Sequence, residues 1–406
     1  MNITIVYRYF WPDTAPYSLL LEKMVPWLVE DGHSVNVYTA QPVYSAQTEG
    51  LKSPKYETVF GAKVKRAFLF SEKGTSILKA LNMFLFAFGA GLQILFGKKQ
   101  DICWVGTTPP VMQAFILLIA CKLRGTKLLY QMQDIHPEIA IHAGIMRPSI
   151  VTKALAFIDN ITLRNADCVT VLSDDMKNVI VERSNSKARI EVINNFALGD
   201  VEAKKVTAKK NAVAKQSGKN KKQPVRFVYA GNVGNFQNLE AFVEAFSKVD
   251  ALDGVLDVVG DGKALPSLQA YCEKNDVKNV VFHGRKSASD TYEFLKGCDV
   301  GLISLSPNLY KYAYPTKTHT YLAANLRLFA MVEDECQLAN IIRDNALGVS
   351  LPWGSGQEVM IDKINKLIKS IKSSTKAHKI SKEIWHANGA RTKWQALLKQ
   401  LNVEEA

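Results

Sequence analysis

Val225-Arg-Phe-Val-Tyr-Ala-Gly-Asn-Val-Gly-Asn-Phe-Gln-Asn238 decides the architecture. A β-branched and aromatic run reads as a strand, and it ends in a turn carrying Gly231 and Gly234 with Asn232, Asn235 and Gln237. Glycines at a strand end let backbone come close to a ligand. A helix expected from about Gln237 would point its N-terminus at that ligand. The residues just before this strand are equally informative. Between Val201 and Arg226 stand eight lysines and Arg226 against the single acid Glu202, a balance of 9 − 1 = +8 out of the chain's +13. That tract lacks any hydrophobic period and reads as a solvated linker or an inserted loop.

The same pattern continues on both sides of the tract. Upstream, Ile3–Tyr7, Ser34–Thr39, Lys63–Phe68, Ile102–Val105, Lys127–Gln131, Cys168–Leu172 and Arg189–Ile193 read as strands, with helical stretches between most of them. Downstream, Val255–Val259, Val280–Phe282, Val300–Ser304 and Arg327–Met331 do the same. Alternating strands and helices mean α/β domains with parallel sheets covered on both faces. The expected organisation is a first domain over 1–200, a basic linker or loop over 201–224, a second domain over 225–375, and final helices over 376–406.

At 406 residues, 47% hydrophobic and 22% charged, the chain is excluded from the disordered, collagen-like and coiled-coil classes. Its positive charge is confined to one tract, so nucleic acid is not an expected partner. Six cysteines lie far apart in apolar surroundings and read as buried reduced thiols, without disulfide or zinc spacing. With a strand-like start at Met1–Val6, this predicts a cytoplasmic protein. Ala80–Gly97, with only Asn82 and Gln93 polar and Lys79, Lys98 and Lys99 flanking, fits a buried helix, a helix lying in a membrane surface, or a span.

Candidate chemistry clusters at the carboxyl ends of strands, where ligands sit in open α/β sheets. After the first strand, Asp13, Thr14, Pro16 and Tyr17 could line a site at a helix start. After the fifth, Asp134, His136 and Glu138 put three titratable groups within five residues, a placement suited to acid/base or hydroxyl-binding work. The same acids could simply cap a helix. Gly260 and Asp261 follow the next strand after the Val225 run. Pro315 suits a helix start and would put Lys317 in the first turn, where a cation is unfavourable unless an anion bridges it to the helix end.

Four segments, in this order, resemble the retaining GT-B glycosyltransferases of family four, above all bacterial members that build surface polysaccharides. They are Tyr9, Pro12, Tyr17, Glu22, Met24, Trp27, Leu28, Gly32, His33, Val35, Thr39, Ala40 and Pro42; Thr107-Thr-Pro-Pro110 with Gln133-Asp-Ile-His-Pro-Glu138; Gly231-Asn-Val-Gly-Asn-Phe-Gln237; and Pro315-Thr-Lys-Thr-His-Thr-Tyr-Leu-Ala-Ala324. The resemblance implies two Rossmann-like domains facing a central cleft, with the last helices crossing back to the first domain. It implies a nucleotide-sugar donor, UDP-linked and with an N-acetylated sugar as one option, and a lipid-linked (polyprenyl) or saccharide acceptor. It implies retention of anomeric configuration, no metal and no cofactor. The donor would meet Gly231, Asn232, Gly234, Asn235, Gln237, Gly260, Asp261, Arg285, Pro315, Thr316, Lys317 and Thr320. Asp134, His136 and Lys317 would be catalytic, and Asp13, Thr14, Pro16, Tyr17 and Glu138 would lie on the acceptor side.

The family's E-x7-E pair falls on Tyr312 and Thr320, and the second acid is the one that holds the ribose. Either a neighbour such as His319 compensates, or the chain is a non-catalytic GT-B partner subunit. A nucleotide-sugar epimerase is a third reading. The apolar segment and the basic tract together predict peripheral attachment to an anionic membrane at its cytoplasmic face.

Overall fold

The computed structural model describes residues 1–43, 51–70, 76–186, 188–198, 223–234, 237–374 and 387–403. The basic tract at 201–222 and Asn235 lie outside them. The chain divides into two units, each built around one sheet.

The first unit comprises Met1–Asn195, Lys311–Tyr314 and the chain from Ala390. Its elements are β1 (Asn2–Val6), α1 (Pro16–Glu30), β2 (Ser34–Ala40), β3 (Tyr56–Val59), β4 (Ala62–Ala67), α2 (Ser76–Phe96), β5 (Ile102–Gly106), α3 (Met112–Arg124), β6 (Lys127–Gln131), α4 (Glu138–His142), α5 (Ile150–Asn165), β7 (Cys168–Val171), α6 (Asp174–Ser184) and β8 (Arg189–Val192). The sheet order is β3-β4-β2-β1-β5-β6-β7-β8, and only β3 runs antiparallel to its neighbour. Central strands covered on both faces need continuous apolar runs. Ile102-Cys-Trp-Val-Gly106 is buried along its whole length.

The second unit carries β9 (Val225–Ala230), α7 (Leu239–Phe246), β10 (Gly254–Val259), α8 (Leu265–Lys274), β11 (Val280–Gly284), α9 (Ala288–Leu295), β12 (Val300–Ser304), α10 (Lys317–Ala323), β13 (Arg327–Met331), α11 (Gln337–Asp344), β14 (Gly348–Leu351) and α12 (Gln357–Ser373). All six strands are parallel, in the order β11-β10-β9-β12-β13-β14. The order reverses between β9 and β12, and in the first sheet between β1 and β5. Those reversals open a crevice at the carboxyl ends of the strands.

The last helix, α13 (Ala387–Val403), packs on the first unit from Ala390 onward. Trp394 lies 4.3 Å from Trp104 ring to ring, and Arg391 pairs with Glu30 at 2.9 Å and Asp31 at 2.6 Å. Residues 311–314, expected inside the second domain, group with the first unit instead. The reason is local: Ile135 N donates to Tyr312 O at 2.8 Å, and Asp134 bridges Ala313.

Helix α2 is one crossover of the first sheet, joining β4 to β5, so it does not span a bilayer. One face is fixed in the core. Asn82 exchanges hydrogen bonds of 2.9 and 2.8 Å with the Phe70 backbone, and Phe86, Ala87, Ala90 and Ile94 are buried. A Cβ on Gly89 would meet Tyr38 Oη at 2.5 Å, and one on Gly91 would meet Ile116 at 2.8 Å. The opposite face is open, so the buried and the surface readings each describe half of this helix. No disulfide joins the six cysteines, and all six are buried.

Candidate functional site

In the second unit the site forms at the ends of β9 and β10 and the start of α10. Gly231 and Gly260 adopt φ of 136° and 151°, where a side chain is strained. A Cβ on Gly260 would lie 1.8 Å from Gly231 O, so the two strand ends can meet this closely only with glycine at 260. The loop is held from within. Tyr229 Oη donates to Asn232 O at 2.7 Å, Gln237 Oε1 accepts from Gly234 N at 3.0 Å, and Asp261 Oδ1 accepts from Gly262 N at 2.7 Å. Asn238 has φ of 43°, which delays the helix to Leu239, two residues later than expected.

Lys317 is the first residue of α10. Its Nζ stands 3.7 Å from the centre of the Tyr229 ring and beside Gly231, where a Cβ would lie 3.5 Å away. No carboxylate pairs with Lys317 among the described residues. Burial pulls its amine down to about 7. The helix is only seven residues long, so its dipole adds little and the amine itself is the cation on offer. Thr316 caps the helix without a side-chain bond and is exposed; Pro315 and Thr320 are half-buried. Arg285 follows β11 and is exposed. His319 is buried, and burial pulls its imidazole down to about 3, so the ring stays neutral. A neutral ring can accept a hydrogen bond through one nitrogen but carries no charge. Tyr321 Oη accepts from Ala230 N at 2.8 Å, tying α10 to β9.

This amine predicts a pH effect. A bound diphosphate would raise the Lys317 pKa above its free value of about 7. Binding then takes up a proton, so affinity should fall as pH rises above 7, by about tenfold per unit at most, until the pKa of the complex is passed. Calorimetric titration of UDP at pH 7 and pH 8.5 should show the loss, and Lys317→Met should flatten it. An equal Kd at both pH values in the wild type would remove Lys317 from the phosphate site.

In the first unit, Asp134 and His136 follow β6. Burial pushes the Asp134 carboxyl up to about 6 and pulls the His136 imidazole down to about 4. Glu138, at the start of α4, pairs with Arg183. That guanidinium donates to His136 O at 3.0 Å and to both Glu138 oxygens at 2.9 and 2.8 Å, while its other nitrogen pairs with Asp159. Asp159 in turn accepts from Tyr130 Oη at 3.0 Å. Asp13 and Tyr17 are both buried. Asp13 accepts from Val43 N at 3.1 Å. Tyr17, inside α1, donates to Gln131 Oε1, which also accepts from Trp104 Nε1 at 2.7 Å. Thr14 and Pro16 are exposed beside them. No group of three or more metal-binding side chains comes together among the described residues.

Two α/β units with largely parallel sheets, each reversing its strand order, and a glycine-lined turn in the second define the GT-B class. Residues 20–195 match the glycosyl transferase 4-like domain, and residues 224–370 match the glycosyl transferases group 1 family. The chain belongs to the glycosyltransferases that carry these two domains. It is 24% identical over 294 residues to a Pseudomonas aeruginosa protein described as a glycosyltransferase, WbjE, covering 72% of this chain and 67% of that one. It is 24% identical over 336 residues to an Escherichia coli K12 protein described as a colanic acid biosynthesis glycosyl transferase, WcaI, covering 80% and 81%. The fold is shared with Anabaena HepE, crystallised in complex with UDP, at a TM-score of 0.67 and 13% identity over 98% of this chain and 100% of that one.

Proposed function

We propose that this glycosyltransferase moves a sugar from a UDP-sugar to a lipid-linked or saccharide acceptor in bacterial surface-polysaccharide synthesis. The observation that carries the reading is the Lys317 amine, set against the Gly231 turn with no carboxylate partner among the described residues. The barrier to transfer is departure of a diphosphate, and charge builds on its oxygens. A preorganised cation in a partly dried site is worth most at that moment. Lys317 supplies it, and glycines at 231 and 260 leave room for phosphate oxygens against backbone. The UDP held by HepE and the colanic acid role described for WcaI support the substrate class.

Asp134 and His136 act on the acceptor side. The transfer retains configuration and needs no metal, since the incoming hydroxyl attacks the face the diphosphate leaves and Lys317 takes the charge a metal would otherwise carry. The work takes place at the cytoplasmic face of the membrane.

Lys317→Ala should weaken UDP binding by ~1.5–3 kcal/mol, roughly 10- to 150-fold, the scale of a charge-assisted hydrogen bond. Uridine should be little affected. Thermal shift against UDP, UDP-sugars and uridine reads both. Equal loss for both ligands would place Lys317 away from the phosphates. Because Thr320 stands where relatives hold ribose with an acid, absence of stabilisation by any nucleotide would favour the partner-subunit reading.

A further inference from the structure

The outer face of α2 carries Leu81, Phe84, Phe88, Leu92 and Phe96, which are between 40% and 77% exposed. Steps of three and four residues align them along one side of the helix. Phe84 and Phe88 stack at 6.0 Å. Phe68 and Phe70 lie edge to face at 5.9 Å and extend the surface where Asn82 holds the Phe70 backbone. Helix α3 packs against α2, and its exposed Ile119 and Leu123 widen the surface further. Arg124 joins the two C-terminal ends by donating to Gly97 O at 2.9 Å. At 150–250 Å² per aromatic ring, the exposed apolar area is on the order of 600 Å², at the upper limit of what a monomer leaves uncovered.

Charge on the two helices themselves has one sign. Neither α2 nor α3 contains an acid. Lys79 lies in the first turn of α2, Lys98 and Lys99 follow its end, and Lys122 and Arg124 end α3. Between Ser76 and Gln133 the only acid is Asp101, whose carboxylate accepts from Asn2 N at 2.6 Å. Lys122 reaches Asp167 only at 3.7 Å and stays half exposed.

We propose that the α2–α3 face docks on an anionic lipid surface, with α2 lying in the headgroup layer and the lysines meeting lipid phosphates. The apolar stripe and the basic rim are the two signals that together hold a protein at a bilayer, where one alone gives weak, reversible binding. A second copy fits less well, because a two-fold contact sets the same lysine rim against itself. The inference stands apart from the donor site, and its test needs no turnover.

The full chain is sedimented with vesicles of phosphatidylcholine alone and of phosphatidylcholine with one-third phosphatidylglycerol, at low and high salt. The protein should pellet with the anionic vesicles and lose most of that binding at high salt. Phe84→Asp with Phe88→Asp should lower the partition at least tenfold, and Lys98→Glu with Lys99→Glu should remove the preference for phosphatidylglycerol. Thermal shift with UDP should match wild type in both variants, which establishes that they fold. Three results overturn the proposal: wild type staying in the supernatant with anionic vesicles, the Asp pair pelleting as wild type does, or gel filtration showing a dimer that the Asp pair dissociates.

Discussion

Asp134→Asn is expected to lower kcat roughly a hundred- to ten-thousand-fold, the range for removing a positioned proton acceptor. The two candidates after β6 are not equivalent. A base works best with a pKa near the working pH, and burial brings Asp134 to about 6 but takes His136 to about 4. At neutral pH Asp134 is charged and able to take the acceptor's proton, while His136 is a neutral ring suited to orienting a hydroxyl. Turnover in the wild type should therefore rise through about pH 6 to a plateau, and the Asn variant should lose that limb. His136→Ala should lower turnover as well. UDP affinity should hold in both, because the loops proposed to take the nucleotide belong to the second unit. Wild-type turnover from both variants would make the segment purely structural.

Arg183→Met is expected to cost about 3–5 kcal/mol of stability, the usual price of taking one partner from a buried ion pair. Arg183 sits between Glu138 and the fully buried Asp159. Without it, two carboxylates face each other in low dielectric, and the carbonyl of His136 loses its donor. The loss has a pH signature. Burial already holds the Asp159 carboxyl above the ordinary carboxylate range, and Arg183 opposes that rise. Removing the guanidinium raises it further, so the folded variant binds a proton that the unfolded chain releases near pH 3.9. Stability of the variant should then fall as pH rises from about 4, and its deficit against wild type should be larger at pH 8 than at pH 5. Urea midpoints at the two pH values measure this. A deficit independent of pH would mean that Arg183 acts by packing alone.

Much of the fold was legible because its central strands are apolar runs bounded by turns, as at Ile102–Gly106 and Val225–Ala230. The two strands that escaped, Tyr56–Val59 and Gly348–Leu351, are four-residue edge strands. An edge is covered on fewer sides, so its residues alternate or stay polar and leave no continuous run to read. In the site, Lys317 was legible because Pro315 announces the helix start beside it. Arg183 was not, since it meets Glu138 from 45 residues away and Asp159 from 24, and only the folded chain brings them together. Tyr17 and Asp13 have partners the sequence did not show: a residue next to a strand end looks open in sequence, but here Tyr17 meets Gln131 and Asp13 meets the Val43 amide.

The return of α13 to the first unit sets a timetable for biosynthesis. Asn195 closes the main run of that unit, and the part of α13 that joins it and covers Trp104 begins only at Ala390, about 195 residues later. At ~5–20 residues per second, a ribosome needs roughly 10–40 s to make that stretch. Through that interval the nascent first unit carries Trp104, Glu30 and Asp31 without the tryptophan and arginine that will cover and neutralise them. Emergence of α13, rather than emergence of the amino-terminal half, is the event that completes the first core.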